Sequence, residues 1–394
     1  MASMFISPTG RRRQVAIVFY TFTLATFYSA TSVPTPLYRL YQEAFGFTAL
    51  MTTVIFAVYS LSLLLTLLLV GSISDYLGRR PVVFASLILL VCATTLFLFA
   101  QSPAWLLAAR IVQGVAIGAA ASATGAALID LDPMRGAVTN SVAPLVGMAI
   151  GALATSTLVQ LAPYPLHLTH LLVLSMVLAQ AALIHAMPET ARRRRVTLAE
   201  LKPRISLPHQ VRRHFIGLTP LTIAVWMLAG FYLSLVPSLV VVATGNQAPI
   251  VGGAVVGALT LSGSTIIYLC RNQGPGPLLR TGPLAMLSGV MLVFVGVHIA
   301  SASLLVVATL IAGVGFGANF LGVVKAIIPL AAAGERAGLL AAFYIECYLA
   351  SSLPTIALGL IARQFGLVLA SDMYGAAVVL MIDDASKALR VCTL

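Results

Sequence analysis

Twelve membrane-spanning helices in two pseudo-symmetric six-helix bundles, an all-α polytopic membrane protein, are what this sequence leads one to expect. Charge is scarce: of 394 residues 60% are apolar and 9% charged, against about 25% charged in an ordinary soluble domain. Apolar runs recur along the whole chain, and about 20 apolar residues make one spanning helix. Twelve spans need roughly 240 residues, which is the apolar share observed. This composition excludes a soluble domain, and disorder, which needs low hydrophobicity.

The runs fall at 14–36, 49–70, 81–100, 104–128, 138–161, 167–187, 215–242, 250–270, 282–301, 303–330, 337–361 and 366–382. The first follows Arg11, Arg12 and Arg13, as the apolar stretch of a signal peptide would. It is long for that purpose and many runs follow it, so it reads as a retained span. The last is interrupted by Asp372 and is accepted because an even count keeps both termini on one side. The only long connector, 188–214, carries Arg192–Arg195, Lys202, Arg204, Arg212 and Arg213. It divides the chain into an N-terminal bundle (1–187), a basic linker and a C-terminal bundle (215–394).

The net charge of +12 raises nucleic acid as a partner, but the cations form short patches between apolar runs rather than a continuous face. Setting aside intramembrane Arg110 and Lys325, alternate connectors hold 19 cations against 2, Arg39 and Arg363. The positive-inside rule then places both termini in the cytoplasm, and the cell inner membrane is the expected location. Cys92, Cys270, Cys347 and Cys392 lie far apart, without metal-ligand or disulfide spacing. No metal and no cofactor is expected.

The halves repeat faintly. Gln113-Gly114-Val115-Ala116-Ile117-Gly118-Ala119 in the fourth span is matched by Ala312-Gly313-Val314-Gly315-Phe316-Gly317-Ala318 in the tenth, as a parallel duplication would give. GxxxG spacing at Gly114/Gly118, Gly147/Gly151, Gly253/Gly257 and Gly313/Gly317 reads as close helix packing. Pro144 removes a helix hydrogen bond and can bend the fifth span.

The loop between the second and third runs reads Gly71-Ser72-Ile73-Ser74-Asp75-Tyr76-Leu77-Gly78-Arg79-Arg80-Pro81. It resembles the signature loop of the major facilitator superfamily. That resemblance implies a two-domain, twelve-helix secondary transporter working by alternating access. Gly71, Asp75, Gly78, Arg79 and Arg80 would then form a latch on the cytoplasmic side in the outward-open state. The corresponding stretch of the second half, Arg271–Pro277, lacks the aspartate and the Gly-Arg-Arg. Arg110 with Gly114 resembles a second superfamily motif, linked to proton transfer in proton-coupled members. Gly147, Gly151 and Pro144 partly match the antiporter motif of the fifth span, with Ala152 where a proline would follow. The pattern is most similar to bacterial drug and sugar efflux proton antiporters.

A charge inside a span is costly and marks function by default. Arg110 stays protonated and so must act on an anion or a nearby carboxyl, unless it snorkels to the interface. Glu346 is the one deep carboxylate, roughly 13 Å inside its span at the helical rise. Burial disfavours its charged form, which suits reversible proton binding. Glu346 is the expected coupling acid, with Lys325 or Arg110 as its partner; a structural ion pair is the alternative. Tyr28, Tyr59, Trp226, Tyr232, Asn319, Phe320 and Tyr344 are candidate cavity residues, since aromatic rings suit amphipathic ligands; packing or interface anchoring is the competing role. No nucleophile elbow or phosphate-binding loop supports an enzyme. The expected activity is proton-coupled efflux of small amphipathic compounds by a monomer, with proton-coupled uptake or sugar efflux as the alternative and a membrane-embedded enzyme or sensor as a remote one.

Overall fold

The computed structural model describes residues 10–191, 205–332 and 334–392, with side chains as far as Lys387. The clustered cations Arg192–Arg195, Lys202 and Arg204 lie outside the described residues. In the first half the helices are α1 (Arg11–Ser32), α2 (Pro34–Phe45), α3 (Ala49–Val70), α4 (Ser74–Leu77), α5 (Arg79–Leu98), α6 (Pro103–Leu131), α7 (Pro133–Leu161) and α8 (Pro165–Leu183). In the second they are α9 (His209–Ser234), α10 (Val236–Thr244), α11 (Pro249–Leu269), α12 (Pro275–His298), α13 (Ala302–Ile327), α14 (Arg336–Phe365) and α15 (Leu367–Cys392).

Proline sets many of the starts. Pro34, Pro103, Pro133, Pro165, Pro237, Pro249 and Pro275 sit in first turns, where a missing N–H costs no hydrogen bond. Helices therefore begin before the apolar runs do: the ninth span starts at Pro275, not 282. The first and seventh spans are each broken. α1 gives way to α2 at Val33, ahead of Pro34 and Pro36, and α9 to α10 at Leu235, ahead of Pro237. Both α2 and α10 end on a left-handed glycine, Gly46 and Gly245, the conformation that costs glycine least.

Eleven helical stretches among the described residues are long and apolar enough to cross a membrane, with α1 and α2 counted together. α15 is the twelfth span by packing rather than composition. Asp372, Asp383, Asp384 and Lys387 lower its hydropathy, yet Tyr374, Val378 and Ile382 are buried against α9 and its neighbours. It runs past the expected limit of 382 to Cys392.

Packing repeats between the halves. α6 lies against α3 and α5 as α13 lies against α11 and α12; α1 meets α7 as α9 meets α14. A methyl at Gly114 would collide with the Ser62 hydroxyl and the Tyr59 carbonyl; one at Gly313 would collide with the Ser262 hydroxyl and the Leu259 carbonyl. Gly147 and Gly151 of α7 lie on the Ala25 and Ser29 carbonyls of α1, and Gly118 on that of Leu63. These glycines bring helix backbones together, the close approach that small residues permit in membranes.

The halves meet along α7–α11 and α3–α14. Three hydrogen bonds among the described residues cross between them: Thr35 Oγ1 to the Leu233 carbonyl (2.8 Å), Ser60 Oγ with Ser351 Oγ (3.1 Å), and Ile250 N–H to Gln160 Oε1 (3.4 Å). Phe56, Ala152, Leu233 and Val256 add an apolar plug. All lie from mid-span to the end marked by Gly46. Towards the opposite end, marked by Asp75, no hydrogen bond or ion pair among the described residues joins the halves. Towards Asp75 the halves meet through apolar contacts instead, with Val142 and Leu145 of α7 packed against Ile267, Leu278, Ala318 and Leu321.

Candidate functional site: a central aromatic cluster

The break at Val33 leaves carbonyls without helical partners. Pro34 has no N–H for the Ala30 carbonyl, and Thr31 lies in the last turn of α1. Two side chains of α6, three residues apart and so on one face, fill them. Gln113 Nε2 donates to the Ala30 carbonyl (2.8 Å) and Arg110 Nη1 to the Thr31 carbonyl (3.1 Å). Arg110 also donates to Gln113 Oε1 (2.6 Å) and, through Nε and Nη2, to the Tyr38 hydroxyl (3.1 and 2.5 Å). It is fully buried. The rings of Tyr59, Tyr38 and Phe97 stand 5.2, 5.6 and 5.7 Å from its guanidinium carbon, within cation–π range. It does not snorkel, and no carboxylate among the described residues pairs with it.

Tyr59 links this cage to a cluster of aromatic rings between the halves, its hydroxyl 3.2 Å from that of Thr31. Beside it lie Tyr28 of α1 and Tyr344 and Tyr348 of α14. Trp226 of α9 stacks at a tilt on Tyr348 (5.1 Å between centroids), and Tyr344 follows at 6.2 Å. Phe343 bridges Tyr344 and Phe320. Trp226 touches the cores of both halves, and its buried Nε1–H has no partner among the described residues. The structure thus brings together Tyr28, Tyr59, Trp226, Phe320, Tyr344 and Tyr348.

It does not bring Tyr232 or Asn319 there. The Tyr232 hydroxyl meets Thr309 Oγ1 at 2.8 Å, and Asn319 Nδ2 meets Met286 Sδ at 3.5 Å, both inside the second half. Spacing explains the difference: six residues separate Trp226 from Tyr232, which puts them about 120° apart around α9. Asn319 and Phe320, adjacent on α13, are likewise turned about 100° apart.

Glu346 is half-buried on α14, with Oε1 unpartnered and Thr219 of α9 beside it. Thr219 is seven residues before Trp226, on the same face and about 10 Å nearer the Asp75 end. Neither expected partner reaches Glu346. Lys325 Nζ donates to the carbonyls of Arg271 and Gln273 (2.6 Å each), closing the turn after α11, and Arg110 is held in its own cage. The ion pair expected from sequence is absent among the described residues, because both cations satisfy carbonyls freed at helix ends.

The loop between α3 and α5 is tied to its own half. Arg79 pairs with Asp75, with Asp130 of α6 (3.2 Å) and with Ser74 Oγ (2.7 Å). Glu189 caps α5, accepting from the N–H groups of Arg79 (2.8 Å) and Arg80 (3.2 Å). Arg80 donates to the carbonyls of His185 and Met187 (3.3 Å each). Gly78 is left-handed (φ 101°), and a methyl there would meet the Glu189 carboxylate. Gly71 lies on the Leu67 carbonyl. Sequence reasoning missed Glu189, Asp130, Tyr38 and Gln113. The i, i+3 spacing of Arg110 and Gln113 was the one signal within reach.

Pseudo-symmetric halves, each opening on a broken span, have the repeated architecture of a membrane transporter. A family model described as Major Facilitator Superfamily matches residues 17–355, and the chain belongs to that superfamily of secondary transporters. Among solved structures, the chain is similar to the crystal structure of the human organic anion transporter MFSD10 (TETRAN). The TM-score is 0.66 at 16% identity, over 95% of this chain and 100% of that one; at that identity the likeness shows the fold alone. A search of curated protein sequences finds no match.

Proposed function

We propose that this protein exports small amphipathic compounds in exchange for protons, and that Glu346 is the coupling acid. One observation carries the reading: a half-buried carboxyl, Glu346, with Oε1 unpartnered, lies two residues from both Tyr344 and Tyr348 of the aromatic cluster where the two halves meet. The positive-inside rule puts the Asp75 end, with both termini, on the cytoplasmic side of the inner membrane. Halves 1–187 and 215–394 rock about the α7–α11 and α3–α14 seams, with 188–214 as their tether and the monomer as the working unit. The loop of Asp75 and Arg79, already braced within its half, latches this end when it closes.

The test uses energised inside-out vesicles, acidified within and followed by a pH-sensitive dye. A transported compound releases protons in the wild type and releases none through Glu346→Gln, whose normal level in the membrane excludes misfolding. Undiminished release through Glu346→Gln overturns the coupling role. Acidification deepened by substrate overturns export in favour of symport.

A further inference from the structure

Resting on the transporter reading, we infer that the central aromatic cluster is the substrate site and selects organic anions: compounds with an aromatic body and a carboxylate or similar acceptor group.

The charge around the cluster is one-sided. Arg110 is a permanent cation, fully buried one ring behind the cluster and paired with no carboxylate among the described residues. Its partners are a carbonyl, an amide oxygen and a phenol, all neutral. The end of α1 offsets about half a charge, which leaves a net positive field at the Tyr59 ring. Such a field, in a wall that excludes water, is felt far more strongly than in solvent.

The hydrogen-bonding groups point the same way. Trp226 Nε1–H can only donate, and it is buried without a partner. An unmet buried donor costs free energy that a ligand acceptor would recover. Tyr28, Tyr59, Tyr344 and Tyr348 lie close to one another, with the Tyr348 ring against that of Trp226, and a phenol donates readily to a carboxylate. An ammonium compound would meet a cationic field and a donor with nothing to give it. The one acid nearby, Glu346, lies between Tyr344 and Tyr348 on α14 but is turned about 160° from both around the helix, beside Thr219 of α9. The rings of Trp226, Phe320 and Tyr344 provide the flat apolar surface for the ligand body.

Three probes of one shape test this: 2-naphthoate, 2-naphthamide and 2-naphthylmethylammonium, binding to the purified full chain measured by scintillation proximity with labelled 2-naphthoate. Expected is saturable 2-naphthoate binding, displaced by unlabelled naphthoate at a concentration on the order of ten-fold lower than by the amide, with the ammonium weaker still. Arg110→Gln should erase the preference of carboxylate over amide. Should that variant not fold, Trp226→Phe, which removes the N–H and keeps a ring, should lower carboxylate binding several-fold more than amide binding. Equal affinities for carboxylate and amide, tighter ammonium binding, or no saturable naphthoate binding overturns the inference. The vesicle assay separates the two readings. Proton release by the ammonium alone keeps the exporter and sinks the anion. Naphthoate binding without proton movement keeps the anion and sinks the exchange.

Discussion

The Thr35 hydroxyl donates to the Leu233 carbonyl at 2.8 Å, joining the broken first span to the broken seventh across the two halves. Both residues sit within two positions of a helix break, where proline has removed helix hydrogen bonds. Beyond this bond lies a surface cavity of about 290 Å³, lined by Arg39, Glu43 and Gln247 among others. The breaks therefore place a polar clasp just inside the end marked by Gly46.

Removing the clasp should open that end. A neutral hydrogen bond contributes about 1 kcal/mol net, so Thr35→Val, which keeps the shape and loses the donor, should raise the fraction open there about five-fold. Electron–electron resonance between spin labels at Arg39→Cys and Gln247→Cys, in a background free of other cysteines, reads this as a larger long-distance population. An unchanged distribution would show that the apolar plug of Phe56, Ala152, Leu233 and Val256 holds the end alone.

The Arg110 cage makes a stability prediction independent of transport. Tyr38→Phe removes the acceptor of two guanidinium donors and leaves them buried and unmet, a cost of about 2–3 kcal/mol. The apparent Tm in detergent should fall by several degrees. Arg39→Ala, at the next residue and in the exposed Arg39–Glu43 pair, should leave it within about a degree. A Tyr38→Phe protein as stable as wild type would show that the cage does not depend on the phenol.

How much of this could be read from the chain follows from what periodicity carries. Span number and the glycine seams were legible, because hydropathy and GxxxG are local signals; the breaks in the first and seventh spans were not read, though Pro34, Pro36 and Pro237 mark them. The helix face was less so: Trp226 and Tyr232 look alike in sequence and stand on different sides of α9. Partners were hardest. Lys325 and Arg110 stood out as intramembrane charges, but the carbonyls that hold them arise only when α1 breaks and α11 ends, far off in sequence. Glu189 looked like one more residue of a polar connector until α5 placed its first N–H groups against it.

The repeated seam gives a matched pair of variants. Gly114→Ala and Gly313→Ala each force a methyl onto a serine hydroxyl and a backbone carbonyl of the facing helix. Overpacking of this kind costs about 1–3 kcal/mol, and the carbonyl cannot step aside as a side chain could. Both should lower the apparent Tm. Gly274→Ala, where a methyl meets nothing within 4 Å and φ is −69°, should not. If Gly114→Ala matched Gly274→Ala, the α6–α3 contact would be looser than the structure has it.

The latch loop separates conformation from charge. Asp75 is more than half exposed where it pairs with Arg79, and exposed pairs contribute about 0–1 kcal/mol, so Asp75→Asn should scarcely move the apparent Tm. Gly78→Ala is a different matter. Its φ of 101° strains any side chain, and the methyl would displace the Glu189 carboxylate that caps α5. Strain and the lost cap together should cost about 2 kcal/mol or more. Glu189→Gln, which keeps the shape and loses only the charge at the start of α5, should fall between them, at about 1 kcal/mol. The order Asp75→Asn, Glu189→Gln, Gly78→Ala in thermal unfolding is the readout. If Asp75→Asn were the most damaging of the three, the Arg79 ion pair rather than the Glu189 cap would be what holds the loop.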